Sequence, residues 1–414
     1  MQPTADYVLS RPDAVSQTRQ TDWRLGIPVY VYAVVLSSLC VVVGLLWDIM
    51  WHMSIGRDGL FSAPHLVIYV GAIVSGLFSG YQILSLTFRR NHPDRPASVK
   101  FWGVFYGSLG AMFCVWGAIA MLTSAPFDDW WHNAYGLDVQ ILTPPHTILA
   151  LGIMMVQFGA MIGVLALQNR AASGVVLSQK LSPEIAAKQA NRLKMLFAVA
   201  AGLLLAVLFT LVSENVANYA AHNSSYYLFA GIVFPVYLLA VGRASLLRYP
   251  LTTIALVYML TMLVPSWVIQ FFPATPMLGP VLNPITTYQP FVFPLLLVIP
   301  GFVLDKLTHR FAGKLNDWVL AAVLGVAFMA VLLVVQWPFE EFTLTSPLAR
   351  NYFFMSYSWV YAQDPNWEYR YAFAPWMQQT PVQFAQGFGI ALMAAVASAR
   401  VGLWWGSWMK RVMR

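Results

Sequence analysis

Ten apolar runs decide what this chain of 414 residues can fold into: 27–52, 63–88, 101–124, 145–168, 194–214, 224–242, 250–271, 287–305, 317–337 and 382–406. About 20 mainly apolar residues in a helix span the hydrocarbon core of a bilayer, and in lipid a helix lets such a segment pair its own backbone polar groups. Hydrophobic residues supply 59% of the chain and charged residues 10%, and the mean hydropathy is +0.63. That composition excludes a water-soluble globule. It predicts an all-α polytopic membrane protein of about ten transmembrane helices, with the lipid bilayer as partner for most of its surface.

The net charge of +7 does not call for nucleic acid, because the basic residues gather in the connections between apolar runs. With the N-terminus inside, the even connections are cytoplasmic. They hold Arg89, Arg90, Arg95 and Lys100, then Arg170, Lys180, Lys188, Arg192 and Lys194, then Arg243 and Arg248, then Lys306, Arg310 and Lys314. Lys410, Arg411 and Arg414 fall on the same side, whereas the odd connections carry only Arg57, Arg350 and Arg370. This bias predicts both termini in the cytoplasm.

Residues 1–26 are polar, lack an apolar signal core and read as a cytoplasmic tail before a retained first helix. Residues 169–193 read as a cytoplasmic linker in which Ser182-Pro183-Glu184 can open a short amphipathic helix. The linker divides a four-helix half, 27–168, from a six-helix half, 194–414. The outer loop of the second half, 338–381, mixes Trp359, Trp367 and Trp376 with Glu340, Glu341, Asp364 and Glu368. Such a mixture suits a membrane-interface cap or a docking surface for an external partner.

Within the first half one element occurs twice. Residues 47–65 read WDIMWHMSIGRDGLFSAPH, and 80 positions after Asp48 the stretch 128–146 reads DDWWHNAYGLDVQILTPPH. Asp48 matches Asp128, Trp51 matches Trp131, His52 matches His132, Gly56 matches Gly136 and Asp58 matches Asp138. One extra residue then intervenes, so His65 matches His146 and Gly71 matches Gly152. Asp48 and His52 are four apart and share one helix face. Pro64-His65 opens the next helix, where proline is tolerated in the first turn, so His65 returns to the level of His52. Asp128, His132 and His146, with Pro144-Pro145, repeat the plan. The tryptophans beside the histidines read as interface anchors.

Ionisable groups inside a span cost about 2.5–3.5 kcal/mol each on insertion scales and persist where they pair or function. One interfacial histidine is accounted for by a hydrogen bond. Six ionisable groups in a twofold pattern predict a duplicated metal-binding element. Cys40 and Cys114 lie within apolar runs and form no CxxC pair, so any metal depends on histidine and carboxylate. Imidazole suits copper, zinc, iron and nickel, and three protein ligands with open positions is the plan of a catalytic centre. Asp58 and Asp138 are candidates for orienting a ligand histidine, although Asp58 can also pair with its neighbour Arg57. A weaker echo, Asn218 and His222 just after Glu214 and Asn215, reads as an interfacial polar turn, and Glu214, Asn218 and His222 are kept as further supporting candidates. His92 and His309, among basic residues, read as solvated loop positions.

At these residues the chain resembles the copper membrane monooxygenases, the particulate methane and ammonia monooxygenase family. Asp48, Trp51, His52, Arg57, Asp58, Phe61 and His65 supply the form D-x2-W-H-x4-R-D-x2-F-x3-H, similar to a copper motif of that family's C subunit. Trp130, His132, Pro144 and His146 resemble its other copper motif, N-x-W-x-H-x11-P-x-H, with Asp128 standing where the family has asparagine. In the second half, Thr287-Tyr288, Phe291-Val292-Phe293-Pro294, Pro300-Gly301, Leu304-Asp305 and Trp404-Trp405 are similar to a stretch of the A subunit. The helices that precede the first motif in the C subunit are missing, and so is the cupredoxin-like β domain of the B subunit.

The resemblance implies a C-type unit fused to an A-type unit in one chain. It implies a copper-dependent monooxygenase, or its metal-bearing core, that hydroxylates a small apolar substrate with O2 and a reductant such as quinol. Asp48, His52 and His65 would hold one copper ion and Asp128, His132 and His146 a second; zinc or iron fits the same donors. It further implies a homo-oligomer such as a trimer, a separate cupredoxin-like subunit at the outer face, and a bacterial inner membrane with the metal sites on the periplasmic side. The competing readings are a copper-handling membrane protein without oxygen chemistry, against which the lack of methionine-rich entry tracts weighs, and a relay subunit of a respiratory assembly.

Overall fold

The computed structural model describes residues 25–56, 58–92, 94–136, 143–174 and 182–414. Ten helices are present among them: α1 Val29–Ser54, α2 Ala63–Phe88, α3 Leu109–Tyr135, α4 Pro144–Ala172, α5 Pro183–Val212, α6 Ser224–Ala244, α7 Pro250–Ile269, α8 Val298–Phe311, α9 Asp317–Thr345 and α10 Pro381–Met409. Nine of these, all but α8, are long and apolar enough to cross a membrane. The strands among the described residues are β1 Val99–Phe101 and β2 Phe105–Gly107, an antiparallel hairpin with Val99 opposite Gly107. The protein is therefore an all-α polytopic membrane protein.

Local chemistry sets the helix starts. Ser108, Ser182, Asn223 and Asn316 each accept a backbone N–H at the head of α3, α5, α6 and α9, and Thr380 with Gln383 forms a capping box on α10. Proline stands in the first turn of α2, α4, α5, α7 and α10, where its missing N–H is not needed. Side chains such as Leu36, Leu77 and Val334 stay exposed, as the lipid-facing side of a span requires.

Small residues decide how closely the helices meet. α3 packs along α4, α1 along α2 and α6 along α10. A Cβ on Gly117 of α3 would stand 2.7 Å from the Gly152 carbonyl oxygen of α4, and one on Gly152 would stand 2.9 Å from that of Gly117. The two backbones are in direct contact there. At the opposite end of the bundle from the α1–α2 and α3–α4 connections, the Arg243 guanidinium grips both oxygens of Asp317 at 2.9 Å, and Arg95 lies over the ring of Tyr106.

Four expectations change in detail. The run 287–305 makes a crossing of a different kind: it is extended up to Ser54-level contacts at one end and helical only from Val298 onward. Pro290 and Pro294 explain this, since proline removes donors and pushes the preceding residue toward extended backbone. Two of its amides are satisfied from neighbouring helices, Gln289 by the Ser54 hydroxyl at 2.7 Å and Leu296 by Gln336 Oε1 at 3.1 Å. At the far end Asp305 accepts the N–H groups of Leu251 and Thr252 at the head of α7.

The third span starts at Leu109, because the hairpin occupies 99–107, and runs on through Pro126 to Tyr135. α9 likewise passes Pro338 and carries Glu340 and Glu341 inside the helix, so the loop before α10 begins after Thr345. In hydrocarbon the alternative to a helix with one missing hydrogen bond is a broken backbone with several, so an isolated proline does not end the element. Residues 183–193 of the expected linker are the first turns of α5, joined to the span without a break.

Replacing Gly117 by valine forces α3 away from α4. The expected result is a loss of about 1–3 kcal/mol of stability, read as a lower unfolding temperature in detergent. Gly80→Ala on α2, where a Cβ meets nothing within 4 Å, leaves that temperature unchanged.

Candidate metal centre

α1 continues without interruption past Asp48 and His52 and stops when the Ile55 and Gly56 amides both return to the Trp51 carbonyl. Gly56 takes φ +85°, a left-handed conformation that glycine adopts at no steric cost. The chain then re-enters as α2 with Pro64 and His65 in its first turn. His65 Nε2 lies 3.2 Å from Asp48 Oδ1 and 3.1 Å from Asp58 Oδ2. His52 Nε2 lies 3.9 Å from Asp48 Oδ2 and 3.5 Å from Asp58 Oδ2. Asp48, Asp58 and His65 offer donor atoms all within 4.8 Å of one another, a group able to hold a metal ion, with His52 beside it as the most exposed member.

The second element builds the same arrangement. α3 ends at Gly136, at φ +88°, and α4 begins at Pro144. Asp128 Oδ1 lies 3.4 Å from His146 Nε2, and Asp128 Oδ2 lies 3.5 Å from His132 Nε2. Asp128, His132 and His146 form a second group able to hold a metal ion. Both triads are half-buried.

Backbone carbonyls orient the rings. His65 Nδ1 contacts the Gly59 carbonyl at 3.0 Å and His132 Nδ1 that of Gly136 at 3.1 Å, and the Gly56 backbone plays the same part for His52. A carbonyl accepts only, so Nδ1 carries the proton and Nε2 faces the carboxylates. That is how a metal-binding imidazole is held in one tautomer. Burial works against ionisation of Asp58. The hydrogen bond from His52 and the charges of His52 and His65 outweigh it, and the carboxyl is held below its ordinary value. Tyr69, one helical turn beyond His65, lies within electrostatic reach of both clusters, of Asp48 and Asp58 as well as of Asp128 and Asp129.

Of the six residues expected as ligands, Asp128, His132 and His146 meet in one group, and Asp48 and His65 meet in the other, with His52 beside it. Asp58, expected behind a ligand, stands in the first cluster itself. Asp138 and Arg57 lie outside the described residues. Glu214 is exposed, Asn218 uses its side-chain oxygen on the Tyr219 amide, and His222 is clamped between the rings of Trp337 and Phe373 with centroids at 4.0 and 3.6 Å. None of these three belongs to either cluster. Burial holds the His222 imidazole below its ordinary pKa, against a weaker opposing pull from Glu341. The residue that composition and spacing did not single out is Tyr69; its place at His65 plus four was the available signal.

The donor set of each cluster, imidazole nitrogen with carboxylate oxygen, suits a first-row transition metal. Comparisons of the chain with protein-family models, with curated proteins and with solved structures find no match.

The second half clasps the first cluster. The Tyr361 amide bonds the Met53 carbonyl and the Met277 amide bonds that of Ile55, and a Cβ on Gly56 would overlap the Tyr361 ring. Gly56→Ala combines that overlap with a left-handed alanine, which costs about 1–2 kcal/mol by itself. The clasp then opens, and hydrogen exchange at the Tyr361, Leu282 and Met277 amides becomes faster than in the wild type.

Proposed function

We propose that the protein is a copper-dependent membrane monooxygenase, or the metal-bearing core of one, that hydroxylates a small apolar substrate with O2. The observation that carries this reading is the pair of Asp/His clusters at equivalent ends of two helix hairpins in a membrane-embedded bundle. Copper, when bound, supplies one-electron redox chemistry and O2 activation. The chain's own part is to present Nε2 of His65, His132 and His146 beside carboxylates, to fix the rings of His65 and His132 through the Gly59 and Gly136 carbonyls, and to leave His52 more open to the surface.

Substrate access favours an apolar molecule. A groove of about 550 Å³ runs between α3, α4, α5, α6 and α10, lined almost wholly by carbon from residues such as Phe113, Leu151, Met155, Leu204, Val233 and Trp405. Leu151 is five residues beyond His146, about 7.5 Å along α4. The basic connections at the opposite end favour a cytoplasmic location for that end, and hence clusters on the periplasmic face of a bacterial inner membrane. A quinol reductant, a separate cupredoxin-like subunit and a homo-oligomeric assembly complete the reading.

Metal analysis of the purified protein in lipid nanodiscs tests it. Because the clusters use different helix pairs, His65→Ala and His146→Ala each remove one bound ion, and the double variant removes both. Copper content that is negligible in the wild type, or unchanged in these variants, rejects the metal centre. With copper bound, isotopically labelled O2 appearing in a hydroxylated product marks the oxygenase, and copper binding without label incorporation identifies a copper-handling protein instead.

A further inference from the structure

The second half holds a carboxyl group that the metal reading does not use. Glu340 lies on α9, five residues before its end at Thr345 and 23 after its start at Asp317. It is therefore about 7.5 Å of helix from the end that carries the clusters and about 35 Å from the basic end. Its exposure is 5%. Gln336 Nε2 donates to Oε1 at 2.5 Å and the Tyr226 hydroxyl donates to the same oxygen at 3.1 Å.

On the other oxygen, the Thr343 hydroxyl lies 3.0 Å from Oε2 and 3.1 Å from the backbone carbonyl of Glu340 itself. Thr343 has one hydroxyl proton for two acceptors. When that proton goes to the carbonyl, the contact with Oε2 is filled by a proton on the carboxyl.

Among the described residues no charged partner offsets an ionised Glu340. α6 contributes Tyr226 and Tyr227, α7 contributes Tyr258, the extended stretch contributes Leu296, and α10 contributes Phe384 and Phe388 near Tyr227 and Trp337. Among the described residues the Tyr227 hydroxyl is buried without a hydrogen-bond partner, and the Tyr258 hydroxyl faces the Leu295 backbone. His222 stacks on Trp337 and interacts with Glu341, and no ion pair joins Glu340 to a described Lys, Arg or His.

Asp305 shows a different environment for a buried carboxyl group. It is 1% exposed, yet it takes two backbone N–H groups and the Thr252 hydroxyl at the positive end of α7. Glu340 sits in mid-helix, with neutral donors only, where a charge without a partner is strongly disfavoured.

We propose that Glu340 is an intramembrane proton-binding site: it rests as a neutral carboxylic acid and exchanges its proton with the cluster end through Thr343. In the exchange the Oε2–H bond breaks and a new O–H bond forms on Thr343 Oγ1, while the threonine's own hydroxyl proton passes to a water molecule at that end of the helix, which becomes hydronium. The carboxylate left behind is held by Gln336 and Tyr226 until it is reprotonated. The site works with or without metal at the clusters, so its fate is independent of the reading above.

Infrared spectroscopy of the full chain in nanodiscs, in H2O and D2O, tests the site. The wild type at neutral pH is expected to show a carboxylic-acid carbonyl band that shifts in D2O and disappears on alkalinisation, and Glu340→Gln is expected to lack it while keeping its unfolding temperature. Thr343→Val provides a second reading should Glu340→Gln fail to fold: the band stays, displaced in frequency, and its exchange into D2O slows. Identical carbonyl regions in wild type and Glu340→Gln, or in wild type and Thr343→Val, overturn the proposal. So does a band that neither titrates nor exchanges, which makes Glu340 a purely structural acid.

Discussion

The demand that every backbone polar group find a partner inside the protein governs this molecule, because hydrocarbon offers none. It keeps α3 and α9 helical through Pro126 and Pro338, where in water a turn would be the easier outcome. It also explains why the extended crossing before α8 is lined by side chains that act as backbone substitutes. Ser54 supplies Gln289 with an acceptor and Gln336 supplies Leu296 with another. Ser54 is two residues beyond His52, so the constraint reaches the first cluster directly. The stretch that most needs help to cross the membrane is tied to the helix end that carries a candidate ligand.

The twin clusters share more than their ligand types. Gly71 of α2 lies against the Ser37 carbonyl and Val41 of α1, while Gly152 of α4 lies against the Gly117 carbonyl and Met121 of α3. Ser37 and Gly117, like Val41 and Met121, are 80 positions apart, the spacing that relates Asp48 to Asp128. What is repeated is a helix hairpin with a close crossing below the site. That crossing sets the height at which the histidine of the returning helix meets the aspartate of the outgoing one. The hairpins differ in their support. Around the first, Tyr361, Met277 and Gln289 bond the chain at Met53, Ile55 and Ser54, and Asp58 turns inward to make a fourth donor. A site braced from a second direction is better organised in advance for ligand binding, so the two clusters are unequal despite their common plan.

The spans and the meeting of aspartate and histidine at two hairpin ends were legible in the sequence because both rest on short-range spacing. Hydropathy over 20 residues marks a span, and D-x3-H followed by P-H marks donors that share a helix face and its neighbour. The extended crossing at 287–297 was hidden because its composition is as apolar as a helix; only its two prolines hinted otherwise, and in α3 and α9 a proline meant no break at all. Asp58 looked like a loop residue with a local arginine partner, since nothing in a linear sequence tells which way a loop folds. The position of His222 between Trp337 and Phe373 depends on residues more than 100 positions away, beyond any local pattern.

Buried carboxyl groups in this bundle are handled in three ways. Asp305 is held by the amides at the head of a helix, where the backbone itself provides the positive end. Asp48 and Asp128 face imidazoles, groups that accept either a proton or a metal ion between themselves and a carboxylate. Glu340 has neutral donors alone. Each arrangement fits its place: helix-head amides serve where the carboxyl only caps a helix, and imidazole partners make a group able to hold a metal ion. A carboxyl in mid-helix, surrounded by tyrosines and reached from one end through a single threonine, is suited to hold a proton. The same scarcity of charge that makes the chain insoluble in water makes each retained acid chemically distinct.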